Sequence, residues 1–437
     1  MTATPLPLLD TARRLGTTAI SAVDPERLVR EELARREPRF DAVLALGKAS
    51  AAMARGARDA LAAMSARGFT PKRLLVRPHS SPALLDPGWE QKTGGHPLPD
   101  RQSLAAGERL RDWLEGIAPE QSLLALISGG ASACLELPAP GLGLPDLAEV
   151  QRILLASGLP IGAINAVRKH LSSLKGGGAL RSTRGRVLAL LLSDVPGDDP
   201  ATLASGLFAS DPSTFAGALA AISLAGPRAS ELPATVRSWL EAGSRGELPE
   251  TLKPGDPALA RVESVVIGNV RLATAVAAAG ARRQGFSVAE GELTGEAARA
   301  ARDLVARGRA LEGPAVAAIL GGETTVTVRN GDGRGGRNGE LALAAARELA
   351  SGPPGQEEVV LALATDGEDG TTGTAGAAVD GGTWETIRRA GIDPDAALAR
   401  HDSLPALEKA PGALLRTGVT GTNVGDLAIY LRRSLRQ

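Results

Sequence analysis

The sequence predicts an α/β protein of two α/β/α domains, the N-terminal one built on a Rossmann-like, mostly parallel sheet. Three observations predict it. Length is the first, because 437 residues exceed what one hydrophobic core usually supports and favour two or three domains. The second is a recurrent unit of a short apolar run, a glycine-rich polar loop and an Ala/Leu-rich helical stretch, the pattern of βα units around a largely parallel sheet. The third is residues 226–257, where repeated prolines interrupt that pattern; a boundary there gives domains 1–245 and 246–437.

In chain order, the apolar run 43–46 leads into Gly47-Lys48-Ala49-Ser50 and a helical AAMARGARDALAAM. Residues 123–127 lead into Ser128-Gly129-Gly130-Ala131-Ser132, and 187–192 into an acidic loop that starts at Ser193 and Asp194 and continues to Asp198 and Asp199. After the boundary, 264–267 precede Gly268-Asn269 and the helical LATAVAAAGARRQG, and 316–320 open onto Gly321-Gly322-Glu323. Residues 359–364 run into a loop bearing Asp366 and Asp369, and Leu414-Leu415 into TGVTGTNVGD. The polar residues thus fall at strand ends, where ligands bind in open parallel sheets.

Composition excludes several classes of function. Acidic and basic residues balance at 49 each, so no bulk field recruits nucleic acid or an anionic membrane, and aromatics at 2% leave little for base stacking. The single cysteine, Cys134, forms no intramolecular disulfide and fits a reducing compartment. No basic segment followed by an apolar one opens the chain, and no apolar run nears the roughly 20 residues that span a bilayer, so the expected location is cytoplasmic. No apolar stripe marks an interface, and monomer and homodimer both stay open.

Two glycine-rich loops suit phosphate. In the 128–132 loop, residues without Cβ let backbone amides approach an anion, while Ser128 and Ser132 can cap a helix or donate hydroxyls. A tight strand-to-helix turn would read the same way. Lys48 stands where a cation opposes the helix dipole, a conflict that a local anion would resolve. Farther on, an alternating strand over 321–328 enters GDGRGGRNGE, a loop too glycine-rich to be held by packing, with Arg334, Arg337, Asn338 and Glu340 in it. Guanidinium forks bind phosphate bidentately.

Asp194, Glu323 and Asp366 are acids that could hold Mg²⁺ or take a proton, since that ion needs only one or two carboxylates beside substrate phosphates. Asn165, Arg168 and His170 lie on one amphipathic segment, in which Lys175 and Gly176 read as an ordinary helix C-cap. His96 sits in a proline-stiffened loop that it braces. Neither a Walker A string nor a nucleophile elbow is present.

Taken together, LALGKASAAMA, GGHPLPDRQS, LISGGASACLELP, INAVRKHLSSLKGG, LSDVPGDDPATLASG, GGETTVTV with GRGGRNGELALA, ATDGEDGTTGTAGA and TGVTGTNVGDL resemble the glycerate 2-kinase family in that family's order. The C-terminal part of that family is its MOFRL domain. One departure is Gly206-Leu207, where the family usually has Gly-Pro.

The resemblance implies ATP-dependent phosphorylation of D-glycerate on its 2-hydroxyl, with Mg²⁺, in an interdomain cleft. It places the family's functional lysine on Lys48 and its arginine on Arg337. Asp194 is then a base or metal ligand and Asp366 a second metal ligand. Ser128, Gly129, Gly130, Ser132, Asn165, Arg168, Glu323, Asn338, Glu340 and Asn423 are the expected substrate and nucleotide contacts. A competing reading, an NAD(P)-dependent hydroxypyruvate reductase, needs a dinucleotide fingerprint. The one G-x-G-x-x-G string, 331–336, is followed by Asp366 about 30 residues on, where such a fold places its acid about 20 on.

Overall fold

The computed structural model describes residues 7–36, 39–328 and 333–434. By internal contact the chain forms two units: Pro25–Ile267, and a second in which the chain up to Asp24 joins everything from Gly268 onward.

The first unit carries a six-stranded sheet ordered β3-β2-β1-β4-β5-β6. Its strands are β1 (Ala42–Leu46), β2 (Lys72–Pro78), β3 (Glu90–Gly94), β4 (Ser122–Ser128), β5 (Arg186–Leu192) and β6 (Val262–Gly268). Strands β1 to β5 pair parallel throughout. AVLAL of β1 is buried at every position, as a strand covered on both faces requires. Leu46 lies opposite Val76 and Ile127, and Ser128 opposite Leu192, so β1, β4 and β5 end nearly level. Between β1 and β4 the strand order reverses, which makes that pair the switch point of a Rossmann-like sheet. Leu44, Leu74, Leu110, Leu123 and Ile127 fill one core, and helices contributing Val150, Ile153, Phe215 and Leu240 form another.

The boundary differs from the one read in the sequence. The proline-rich stretch holds the helix Ala234–Ser244, whose Val236 and Leu240 are buried in the first unit, and Leu252 joins that unit's main core. These prolines punctuate an excursion within the unit, and β6 then returns to its sheet.

The second unit's sheet is ordered β11-β10-β9-β12-β8-β7. Its strands are β7 (Ser287–Leu293), β8 (Ala315–Gly322), β9 (Gln356–Ala364), β10 (Gly376–Asp380), β11 (Leu414–Leu415) and β12 (Asp426–Ser434). Here the expectation of a largely parallel sheet fails: β7 and β8 are parallel, and every other pairing is antiparallel. The cause is β12, which the sequence reading ended short of; it inserts between β8 and β9 and runs against both.

Two further expectations are corrected. The helix Leu8–Ala22, assigned to the first domain by position, packs on the second sheet; a Cβ at Gly16 would lie 2.7 Å from Leu363 Cδ2, and Thr422 Oγ1 donates to Val23 O at 2.7 Å. The alternating strand over 321–328 stops at Gly322. Beyond it Val326 packs on the core, while the Thr325 and Thr327 hydroxyls donate to Glu296 Oε1 at 3.1 and 2.6 Å, which reproduces a two-residue period without a ladder.

Candidate active site

In the first unit the loops after β1, β4 and β5 meet. Gly47 has φ of +98°, and a Cβ there would fall 2.4 Å from Ser128 O and 2.6 Å from Gly129 O, so only glycine lets the two loops touch. Lys48 N donates to Gly129 O at 2.9 Å. Ser128 Oγ accepts from Ala49 N at 3.0 Å and donates to Leu46 O at 3.0 Å. Its hydroxyl is committed twice and fully buried, so Ser128 ties the two loops together.

Gly129 and Gly130 form the cradle floor. A Cβ on Gly129 would sit 1.7 Å from Asp194 Oδ2; one on Gly130, at φ of +80°, would sit 2.9 Å from Lys48 Cγ and 3.6 Å from the His96 ring. The side chains of Lys48, Asp194 and His96 thus meet at one glycine pair at the switch point. His96, expected only to brace its loop, lies against that floor. The following helix, Ala131–Cys134, has four residues and so only a small dipole.

Behind the floor, Arg168 Nη2 donates to Ser132 O at 3.2 Å from the helix Ile161–His170, which also carries the buried Asn165. Burial lowers the Arg168 pKa against the opposing charge of Glu136. Ser132 Oγ lies 2.6 Å from Ser205 Oγ, and Ser205 belongs to a turn in which Ala204, Ser205 and Gly206 all have positive φ. Two non-glycine residues in that region are strained, as is common beside functional loops.

The C-cap reading of Lys175 is corrected: the helix ends at His170, and Lys175 is buried in an ion pair with Glu136, its pKa pushed down to about 8 by burial. Cys134 is pushed up to about 12 by burial and is inert. Asp199 is a turn residue that accepts from Ala201 N and Thr202 Oγ1.

In the second unit, Asp426 opens β12 opposite Gly322 and Ala364, the last residues of β8 and β9. Arg337 begins the helix Arg337–Ala350; its Nη2 donates to Asp426 Oδ1 at 3.0 Å, its Nε to Asp426 Oδ2, and Nη1 pairs with Glu323. Burial works against the Arg337 charge, yet Asp426, Glu323 and Asp369 hold its pKa above the usual value. Asp369 caps the helix, accepting from Asn338 N at 2.9 Å and Gly339 N at 2.7 Å. Burial pushes Asp369 up to about 6 against those two donors, and pushes Asp426 up against Arg337.

Of the other expected contacts, Asn338 also hydrogen-bonds Asp426, and the charge of Asp366 acts on the same carboxylate. Asn338 is buried beside Asp369, and Asn423 lies in the buried loop before β12. Asp366 Oδ1 accepts from Glu368 N at 3.0 Å. Glu340 turns to His401 Nδ1, 3.0 Å away. Arg334 donates its backbone N–H to Asp402. Within the string 331–336, Gly331 and Asp332 lie outside the described residues. Its other glycines are held by packing after all: Cβ atoms on Gly333 and Gly335 would lie 2.1 and 2.6 Å from the Arg400 and His401 carbonyl oxygens, and one on Gly336 2.3 Å from Asp369 Cγ. The string also begins nine positions after β8 ends, where a dinucleotide turn would follow its strand directly.

Sequence reasoning missed Asp426 and Ser205. Asp426 ends the TGTNVGD motif, so its signal was present, but only pairing of β12 shows that it reaches Arg337. Among the described residues no three His, Cys, Asp or Glu side chains group as a metal site, and no helix is long and apolar enough to cross a membrane.

A domain of unknown function (DUF4147) matches residues 11–241 and the MOFRL family matches 316–426. The chain is 35% identical to a glycerate 2-kinase of Pyrococcus horikoshii, over 97% of each chain, and 39% identical to a D-glycerate 2-kinase of Thermotoga maritima, over 94% of this chain and 95% of that one. A putative hydroxypyruvate reductase of Agrobacterium vitis is 38% identical over 96% of this chain and 93% of its own. Among solved structures, a glycerate kinase of Thermotoga maritima superposes with a TM-score of 0.82 at 37% identity, covering 97% of this chain and 99% of that one.

Proposed function

Because the chain belongs to the glycerate kinase family, we propose that it transfers the γ-phosphoryl group of ATP to the 2-hydroxyl of D-glycerate, giving 2-phosphoglycerate and ADP. The observation that carries this reading is the convergence of Lys48 and Asp194 on Gly129-Gly130 at the sheet's switch point, in a chain that aligns with two glycerate 2-kinases nearly end to end.

Phosphoryl transfer needs little covalent help from the protein; positioning and neutralisation of phosphoryl oxygens carry it. Lys48 supplies a compact positive charge beside the glycine floor, where residues without Cβ let a phosphate chain approach the backbone. In the second unit Arg337, its planar fork held by Asp426, is the other candidate cation. The substrate hydroxyl oxygen bonds to the γ-phosphorus as the bond to the β-phosphate oxygen breaks, and the hydroxyl proton leaves to a carboxylate, for which Asp194 is the candidate.

The donor set fits a divalent cation of the Mg²⁺ kind: Asp194 is held over a floor that has no space for a side chain, and such an ion takes one or two carboxylates and completes its shell with phosphate and water. Asp194 would hold it. When bound, the ion neutralises charge on the transferring phosphates.

The test is an ADP-release assay with D-glycerate and ATP, run beside an NADH assay with hydroxypyruvate, with the product read by phosphorus NMR. Glycerate-dependent ADP release and a 2-phosphoglycerate resonance are expected. NADH oxidation without ADP release would replace the kinase with a reductase, and a 3-phosphoglycerate resonance would reassign the acceptor hydroxyl.

A further inference from the structure

A cavity of the first unit, about 1040 Å³, lies away from the glycine floor. Its lining includes Ile117 to Pro119, just before β4, and Arg181 to Arg184, just before β5, which places it at the amino ends of strands whose carboxyl ends carry the cradle. Phe215, Trp239 and Leu248 give it an apolar wall. A volume of this size accommodates a small metabolite.

Most charges around it are matched. Lys169 pairs with Asp211 at 3.2 Å and Lys175 with Glu136. Glu250 accepts from Phe215 N at 2.9 Å and pairs with His170 at 2.9 Å and Lys253 at 3.0 Å. The rim carboxylate Glu115 sits in the field of Arg111. Two exposed guanidinium groups remain, Arg181 and Arg184. Arg181 uses Nη1 on Glu250 O at 2.7 Å, and among the described residues its other nitrogens form no ion pair with a carboxylate. Positive charge in excess of its partners, on a concave surface with an aromatic wall, selects an anion with a small organic body.

We propose that this cavity is a second ligand site, separate from the cradle, for a small molecule bearing a phosphate or carboxylate group held by Arg181 and Arg184. Its wall also supports the cradle: Lys175 reaches Glu136, and Gly176 N donates to Ser205 O at 3.0 Å, with Ser205 hydrogen-bonded to Ser132.

Trp239 provides the readout, since its indole Nε1 donates to His170 O at 2.8 Å in the cavity wall and the chain has only four tryptophans. In nitrogen-15 spectra of the full chain, with the Trp239 indole resonance assigned from Trp239→Phe, inorganic phosphate and acetate are titrated separately at constant ionic strength against chloride. A saturable shift of that resonance with either anion is expected, and which anion produces it assigns the head group. The shift should weaken at least about tenfold in Arg181→Ala/Arg184→Ala and persist in Lys48→Ala. That double variant should keep the parental thermal transition and turnover. No saturable shift with either anion, or one unchanged in the double variant or abolished by Lys48→Ala, overturns the proposal.

Discussion

Arg337 and Asp426 are joined by two parallel hydrogen bonds, Nη2 to Oδ1 at 3.0 Å and Nε to Oδ2, so a half-exposed guanidinium is locked in plane by a carboxylate with no solvent exposure. Removing Arg337 would strand that carboxylate. Arg337→Ala is expected to cost about 3 kcal/mol of stability, the low end of the range for breaking a buried pair because the arginine itself is partly exposed. It should also slow turnover by about a hundredfold or more. Arg337→Lys keeps the charge but not the fork, and should recover part of the stability with little of the rate. Urea unfolding and steady-state kinetics on the three proteins check this.

Gly129 and Gly47 should fail differently when given a methyl group. Alanine at 129 drives its Cβ into the Asp194 carboxylate, a side chain that can swing away, so kcat/KM should fall at least about tenfold with little change in melting. Alanine at 47 meets Ser128 and Gly129 backbone oxygens at positive φ, and should instead destabilise the unit by about 2 kcal/mol or more. Melting curves beside kinetics separate the two.

Lys48→Ala should leave the fold intact and lower turnover by about a hundredfold or more. Lys48→Arg should not restore it, because a wider, planar cation replaces a compact one beside a floor with no spare room. Near-parental turnover of Lys48→Ala would remove this residue from the mechanism.

Asp369 gives a pH signature. Unfolded, it loses its proton near the ordinary aspartate value; folded, burial holds the proton up to about pH 6. Between those limits the native state binds more protons than the unfolded one, so this residue makes stability fall as pH rises from about 4 to about 6. Asp369→Asn should remove that component of the slope, at the expense of one amide donor left facing the new NH₂ group. The difference between parental and variant urea midpoints across this range isolates it from Asp426 and Glu340, which shift in the same direction.

Much of the first unit was legible. The runs 43–46, 123–127 and 187–192 are buried on both faces, so their apolar continuity read directly as parallel strands, and the loops after them carried Lys48, Gly129 and Asp194. The second sheet was not, because an apolar run does not encode its neighbour or its direction, and β12 follows a glycine-rich loop that masks its start. Ser128 shows a related limit: a hydroxyl in a glycine loop looks the same in sequence whether it faces a ligand or staples two strands. Asp426 and Ser205 became visible only through partners 89 and 73 residues away.

The helix Leu8–Ala22 covers strands that lie far behind it in the chain. It packs against β9, β10 and β12, with Leu15 filling the space above Gly280 and Val23 bonded to Thr422. During translation this amphipathic segment emerges before its partners, its apolar face unmatched, while the intervening Pro25–Ile267 is synthesised. The intervening unit has all its strands available before this helix can meet its sheet.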